Sequence, residues 1–399
     1  MSKRVYAVIG ANYGDECKGL ATATISKTKK STLNVLFNGG PQRGHTVCSD
    51  SKSHVFHNFG SGTFEKADTY YTCHFMANPK YFIYERKELI SIMGDILPKV
   101  WVDKNTQITT PWDIYINQFL EESRGKERHG SCGHGIYETF HREELGLAVR
   151  YGEIRNMDLR ERFNYFTDLR NTYFAARLNE IRKEKNCHFT ANFLEIFFSD
   201  QVMYDFMEEL KEFFLLTYYA PDCIYSFYDN IIFEGGQGLA LDMDNKEEWP
   251  HLTPSRTGSD WIIEEINKHT ELQNCITNVI YVTRTYITKH GAGPLKNSFS
   301  PLDYGLVDNT NIYNKWQGTI RYAFLNVTEM ENRCNKDFSK WKTVSNRVRK
   351  EFFISHYNYA PMIPSIYKDS TYPYVGNILN SLECDGFRVS SSPIYQSNI

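Results

Sequence analysis

Four short apolar runs, each breaking into a glycine-rich or polar loop, constrain this chain more than any other feature. Residues 5–9 run into Gly10-Ala-Asn-Tyr-Gly14, and residues 33–37 end in Asn38-Gly39-Gly40. Residues 231–233 end in Glu234-Gly-Gly-Gln237-Gly238, and residues 279–282 end in Thr283-Arg284-Thr285-Tyr286. Short runs rich in β-branched residues and closed by turn residues predict buried strands. Helix-like stretches lie between them. The expected fold class is therefore α/β, a large and mostly parallel central sheet flanked by helices, with ligand-binding loops along the strands' carboxyl edge.

From about residue 157 to 217, apolar residues recur at helical spacing: Phe163, Leu169, Phe174, Leu178 and Ile181, then Met203, Phe206, Leu210 and Phe213. This predicts a helical layer over the sheet, and the charged run 177–185 reads as a solvated helix face. No repeat or Pro/Ser-rich linker interrupts the chain. Residues 1–399 read as one domain with a helical excursion around 157–220 and a shortened C-terminal region.

Charge and cysteine usage exclude several classes. A net charge of −3 with no long basic run argues against nucleic acid as a partner. No apolar stretch is long enough to span a bilayer, and the N-terminal one is too short for a secretory signal. Nine scattered cysteines without a CxxC pair read as reduced thiols of a cytoplasmic protein, and they exclude a zinc site.

The chemistry sits in the loops. In Gly10-Ala-Asn-Tyr-Gly14-Asp15-Glu16-Cys17-Lys18-Gly19, glycines free backbone N–H groups to surround phosphate oxygens ahead of a helix N-terminus. Lys18 supplies a point charge for a transferring phosphoryl group, and Asp15 can bind Mg2+ or take a proton. The plain alternative is a glycine turn with a solvated charge cluster. In Asn38-Gly-Gly-Pro-Gln42-Arg43-Gly44-His45-Thr46, the histidine can act as a proton donor near neutral pH, or simply complete the loop. Gln237 can offer both a donor and an acceptor to a base edge.

The succession of these loops, with Gly60-Ser61-Gly62, Leu241-Asp242-Met-Asp244 and Gly291-Ala-Gly293-Pro294, resembles the adenylosuccinate synthetase family. A weaker likeness returns at Ser391-Ser-Pro393. The resemblance implies that family's P-loop-NTPase-like fold and its activity. A nucleoside triphosphate's γ-phosphoryl group passes to the purine O6, and the amine of L-aspartate then displaces it. By position, Asp15 is implied as the base at N1 and a Mg2+ ligand, with the Gly44 carbonyl as a second Mg2+ contact. His45 is implied as the acid on the transferring phosphoryl group. Gly14, Glu16, Cys17, Lys18, Gly19 and Gly44, with Thr46, match the triphosphate site. Gln237 matches the residue holding the purine 6-position. Asn38, Gln42, Thr253, Ser131 and Cys132 fall where the purine monophosphate is bound. Arg142 is implied as the arginine reaching the partner subunit's nucleotide, and hence a homodimer.

Three departures from the family pattern bear on substrate. The aspartate-recognition stretch reads Trp316-Gln317-Gly318-Thr319-Ile320-Arg321: Arg321 remains as a carboxylate clamp, but Thr319 replaces an arginine expected near the ribose 2′-hydroxyl. Asn358 stands where a carboxylate reads the guanine of GTP, which favours ATP. Pro41-Gln42-Arg43 replaces His-Asn-Ala. Together these resemble the viral 2-aminoadenylosuccinate synthetase branch, which acts on dGMP. Asp15 belongs to the wider family pattern, since members of that branch often replace it. A conventional enzyme acting on IMP with GTP is therefore the alternative. A catalytically idle nucleotide-binding protein is a further one, because Cys17 replaces a glycine and its Cβ can crowd the phosphate.

Overall fold

Residues 5–9 send their side chains alternately to two sides. Tyr6 and Val8 enter one hydrophobic cluster, while Val5, Ala7 and Ile9 enter another. Residues 33–37, 231–233 and 279–282 divide between the same two clusters. A strand buried on both faces belongs inside a parallel sheet covered on both sides. The computed structural model of the chain describes residues 3–29, 31–125, 129–185, 187–307, 313, 315–379 and 381–395.

Among the described residues the central sheet has nine strands. These are β1 (Arg4–Gly10), β2 (Thr32–Leu36), β3 (Asp68–Tyr71), β4 (Val100–Val102), β5 (Tyr218–Tyr219), β6 (Asn230–Gly238), β7 (Ile276–Arg284), β8 (Arg347–Ser355) and β9 (Gly386–Val389). Their order is β9-β8-β7-β1-β6-β2-β3-β4-β5, every neighbouring pair parallel. The four strands expected from sequence are the four adjacent ones at the centre, β7-β1-β6-β2. Because all run the same way, their glycine-rich ends meet on one edge, with Gly10 registered against both Gly238 and Val282.

The helical excursion covers one face. Helices Leu159–Leu169, Ala175–Lys185 and Asp200–Leu216 bury Phe166, Leu178, Ile181, Phe206, Leu210 and Phe213 in the cluster that also holds Trp112. The run 177–185 is largely exposed outside Leu178 and Ile181. The opposite face is covered by Asp260–Lys268 and Val327–Phe338. A smaller sheet not expected from sequence joins Tyr286–Lys289, Arg321–Asn326, Ser365–Tyr367 and Ser370–Tyr372, with Ser298–Phe299 alongside. No helix among the described residues is long and apolar enough to cross a membrane.

Arg142 is an interior residue. Its side chain is fully buried, with Nε and Nη2 donating to the Asp113 carboxylate at 3.3 and 3.2 Å. Its remaining donors reach the carbonyls of Leu147 at 2.7 Å and Ile108 at 3.0 Å. A guanidinium enclosed this way ties helix Ile136–Glu144 to helix Pro111–Ser123. Removing one partner of a buried ion pair leaves an uncompensated charge, so Arg142→Ala should lower unfolding free energy by about 3–5 kcal/mol in urea titration. An unchanged midpoint would show that the guanidinium lies in solvent.

Candidate active site

The loop after β1 leads directly into helix α1 (Lys18–Lys27). Asp15 and Cys17 lie in left-handed backbone at φ 55° and 72°, a conformation that glycine adopts freely and other residues at a cost. Aspartate tolerates it better than most residues, whereas Cys17 occupies it where the family pattern has glycine. The loop is held from within. Glu16 accepts from the backbone N–H groups of Asn12 at 2.8 Å and Gly14 at 2.9 Å, and from Lys18 Nζ at 3.0 Å. Glu16 and Lys18 are both buried, so in this state the Lys18 charge is neutralised by its own loop. Gly238 lets the loop close, because a Cβ there would lie 2.2 Å from the Asn12 carbonyl oxygen.

Asp15 pairs with His290, whose Nε2 lies 2.8 Å from Oδ2. Burial pushes the Asp15 carboxyl up, but the His290 hydrogen bond and the charges of His290, Arg284 and Lys18 outweigh it and hold the group below its ordinary value. Asp15 is therefore anionic, as a base or a cation ligand must be. The sequence reading missed His290, although it lies beside the quoted Gly291-Ala-Gly293 motif.

His45 lies against the start of α1, where a Cβ on Gly19 would come within 2.9 Å of the histidine's own Cβ. Its Nδ1 is 2.6 Å from Glu234 Oε1, and the Glu234 carboxylate also accepts from Arg43 at 2.7 Å and from the Ser61 N–H at 3.0 Å. The Ser61 hydroxyl donates to the same carboxylate. Burial raises the Glu234 carboxyl, yet Arg43, His45 and Ser61 bring it down to about 2. Burial and the nearby Arg43 and Lys18 charges push His45 down to about 4 despite Glu234. The ligand-free histidine is thus neutral, donating through Nδ1. Glu234 and Ser61 had stood in sequence only as motif members, and Arg43 only as a departure. Nothing local in the chain shows that these loops converge.

Gln42 and Gln237 lie side by side over Gly39. Both amide atoms of Gln42, Gln237 Oε1 and His45 Nε2 are buried with no hydrogen-bond partner among the described residues. Such groups are uncommon because each costs about 1–3 kcal/mol, and the two amides placed together over Gly39 mark a site for a polar ligand. Asn38 differs. Its amide already joins the Gly236 N–H at 2.8 Å to the Arg256 carbonyl at 2.9 Å, so it braces the pocket rather than opening into it.

The remaining candidates fall around this centre. Gly44 is exposed, and Thr46 is half-buried in the hairpin of His45–Cys48 and Ser53–Phe56. Thr253 lies two residues before Ser255, whose hydroxyl accepts the Gly39 N–H at 3.1 Å. Ser131 accepts from Asn117 at 3.0 Å, and Cys132 Sγ is 3.1 Å from His134 Nδ1. That loop touches Gly291 through Gly130 and the Trp316 ring through Gly133, which brings Gln317, Gly318 and Thr319 beside it. Asn358 is exposed just beyond β8, and His356 Nδ1, near it, lies 3.7 Å from Cys17 Sγ. Arg321 is tied to backbone carbonyls. Its terminal nitrogens hold the carbonyls of Gly293 at 2.9 Å, Gly291 at 2.7 Å and Ala292 at 3.2 Å, so in this state it clamps the loop that carries His290 rather than a free carboxylate.

An α/β architecture with a glycine-rich loop closed on its own Glu16 carboxylate and a polar pocket on one sheet edge is thus defined by the geometry. The adenylosuccinate synthetase family model matches residues 7–338, and the chain belongs to that family. It is 29% identical over 289 residues to the adenylosuccinate synthetase of Lactobacillus acidophilus and 30% over 295 residues to that of Lactobacillus helveticus. Each match covers 72% of this chain, which spans 63% of the length of either relative. The fold is similar to fully ligated adenylosuccinate synthetase from Plasmodium falciparum, with a TM-score of 0.65 and 17% identity over 92% of this chain and 80% of that one. It is also similar to the succinoaminodeoxyadenylate synthetase of cyanophage S-2L, bound to dGMP and dATP. That likeness has a TM-score of 0.62 and 15% identity over 99% of this chain and 94% of the other.

The His45–Glu234 pair sets a pH dependence of stability. His45 falls from an ordinary 6.5 to about 4 on folding, so between those values the unfolded chain binds more protons and stability rises with pH. Glu234, brought from 4.5 to about 2, extends the same sign to lower pH. Unfolding free energy in urea should fall steadily as pH drops from 7 toward 4, and His45→Gln should flatten that slope. An identical slope in the variant would remove His45 from the effect.

Proposed function

We propose that this chain is a C–N ligase that joins L-aspartate to the 6-position of a purine nucleoside monophosphate through a 6-phosphoryl intermediate. The observation that carries this reading is the set of unpartnered buried polar atoms on the loops at this sheet edge: His45 Nε2 beside the start of α1, and the Gln42 and Gln237 amides together over Gly39. Anionic Asp15 takes the N1 proton, which turns O6 into a nucleophile. O6 attacks the γ-phosphorus, the bond to the bridging oxygen breaks, and the nucleoside diphosphate leaves. The aspartate amine then attacks C6 and expels inorganic phosphate. Phosphoryl charge beside His45 favours its second proton, so the donor form arises only with nucleotide in place.

The family resemblance makes the Asp15 carboxylate and the Gly44 carbonyl the groups that would hold Mg2+ together with substrate phosphates, and oxygen donors of this kind suit that ion. When bound, Mg2+ supplies charge neutralisation for the transferring group.

The finer reading is dGMP as acceptor and ATP as donor, giving 2-amino-2′-deoxyadenylosuccinate. Thr319 in place of an arginine, Asn358 in place of a carboxylate and the dGMP and dATP bound by the similar cyanophage enzyme support it. The retained Asp15 supports the alternative, IMP with GTP. Product formation with L-aspartate and Mg2+, crossing dGMP, GMP, IMP and dIMP with ATP and GTP, separates these readings. Succinylated product from dGMP with little from IMP is expected. Preference for IMP and GTP makes the chain a conventional member, and no product from any pair leaves a nucleotide-binding protein.

With the active pair, Asp15→Ala and His45→Ala should each lower kcat by about 10²–10⁴-fold while nucleotide binding by calorimetry is retained. Near-normal turnover in either variant removes that residue from the mechanism.

A further inference from the structure

Arg43 stands where the family pattern has alanine, yet its side chain is almost fully buried beside the reacting loops. A buried guanidinium needs a partner, and this one has Glu234, 2.7 Å from Nη2. The oxygen it meets, Oε1, is the one that accepts from His45 Nδ1 at 2.6 Å. Arg43 Nη2 and His45 Nδ1 are themselves only 2.7 Å apart. Both carry hydrogen toward Oε1, so they do not bond each other; the shared carboxylate holds them together. Residue 43 is anchored at its backbone too, since its N–H donates to the Gly40 carbonyl at 3.2 Å and its carbonyl accepts from His57.

We propose that Arg43 is a positioning residue for phosphoryl transfer, holding the Glu234 carboxylate and, through it, the orientation of His45. Ser61 binds both oxygens of Glu234 but carries no charge. Arg43 adds the charge-assisted bond that fixes which face of Oε1 meets the imidazole. With Nδ1 tied to that oxygen, Nε2 stays free to meet the transferring group. A displacement of about 1 Å at such a contact costs about 100-fold in rate.

The inference rests on the proposed role of His45, and the test separates the two. Steady-state kinetics of the full chain, with the substrate pair it turns over, compare wild type, His45→Ala, Arg43→Met and Arg43→Lys. Arg43→Met keeps the aliphatic bulk and removes the charge. It should lower kcat by about 100-fold and leave KM for both nucleotides within about threefold. Arg43→Lys should recover about tenfold of the loss, because a single nitrogen makes the Glu234 contact. If Arg43→Met does not fold by circular dichroism, Arg43→Gln takes its place with the same expectation. A folded Arg43→Met or Arg43→Gln with wild-type kcat overturns the proposal and leaves the role of His45 standing. So does a loss matched by proportionally raised KM, a lowered Tm and no recovery by lysine. Full activity in His45→Ala overturns both.

Discussion

The carboxylate of Glu234 is fully enclosed midway along central strand β6, and burying such a charge is unfavourable unless donors surround it. Here the donors come from separate segments: Arg43 and His45 from one loop, and Ser61 from another. Because each is also needed where it stands, the charge acts as a constraint on all of them. It fixes the histidine's tautomer and draws the loop after β2 against the start of α1. It also sets Gln42 beside Gln237. A parallel sheet brings loop ends to one edge, but it leaves their mutual orientation open. The buried ion cluster supplies that orientation.

The anion-binding loop is built on a related principle. Glu16 satisfies two of the loop's own N–H groups and the Lys18 ammonium, so the ligand-free loop carries an internal anion. This holds the left-handed backbone at Asp15 and Cys17 against its strain. Outside support arrives from the second sheet and from helix Val327–Phe338. Thr288 donates to the Gly14 carbonyl at 3.2 Å, and Arg333 donates to the Ala11 carbonyl at 2.8 Å. In the proposed reaction Lys18 serves the transferring phosphoryl group, so nucleotide binding would draw it away from Glu16.

Three arginines are tied into the fold by acceptors far from them in sequence. Arg142 braces two helices, Arg321 holds a loop, and Arg43, first noted as a departure, lies at the centre. The guanidinium has five donors in a rigid fork, equally suited to carboxylates, backbone carbonyls and phosphates. Its role follows from whichever acceptors the fold presents. Asn38 shows the same effect with an amide, joining two loops on behalf of the pocket.

What the sequence by itself determined is the four strands at the centre of the sheet and the inventory of their loops. Period-two burial on both faces leaves β-rich runs few alternatives to parallel strands, and the glycine turns after them are local in origin. The helical layer was legible for the same reason, since its apolar spacing is encoded within each segment. Only the tertiary structure decided which polar side chains meet. His290 and Asp15 are separated by 275 positions, as the 2.8 Å contact between them spans the sheet edge, and Glu234 lies 189 positions from His45. Pairings of that kind are settled by strand order and by the cost of leaving a buried charge without a partner, and neither is written in any local stretch of the chain.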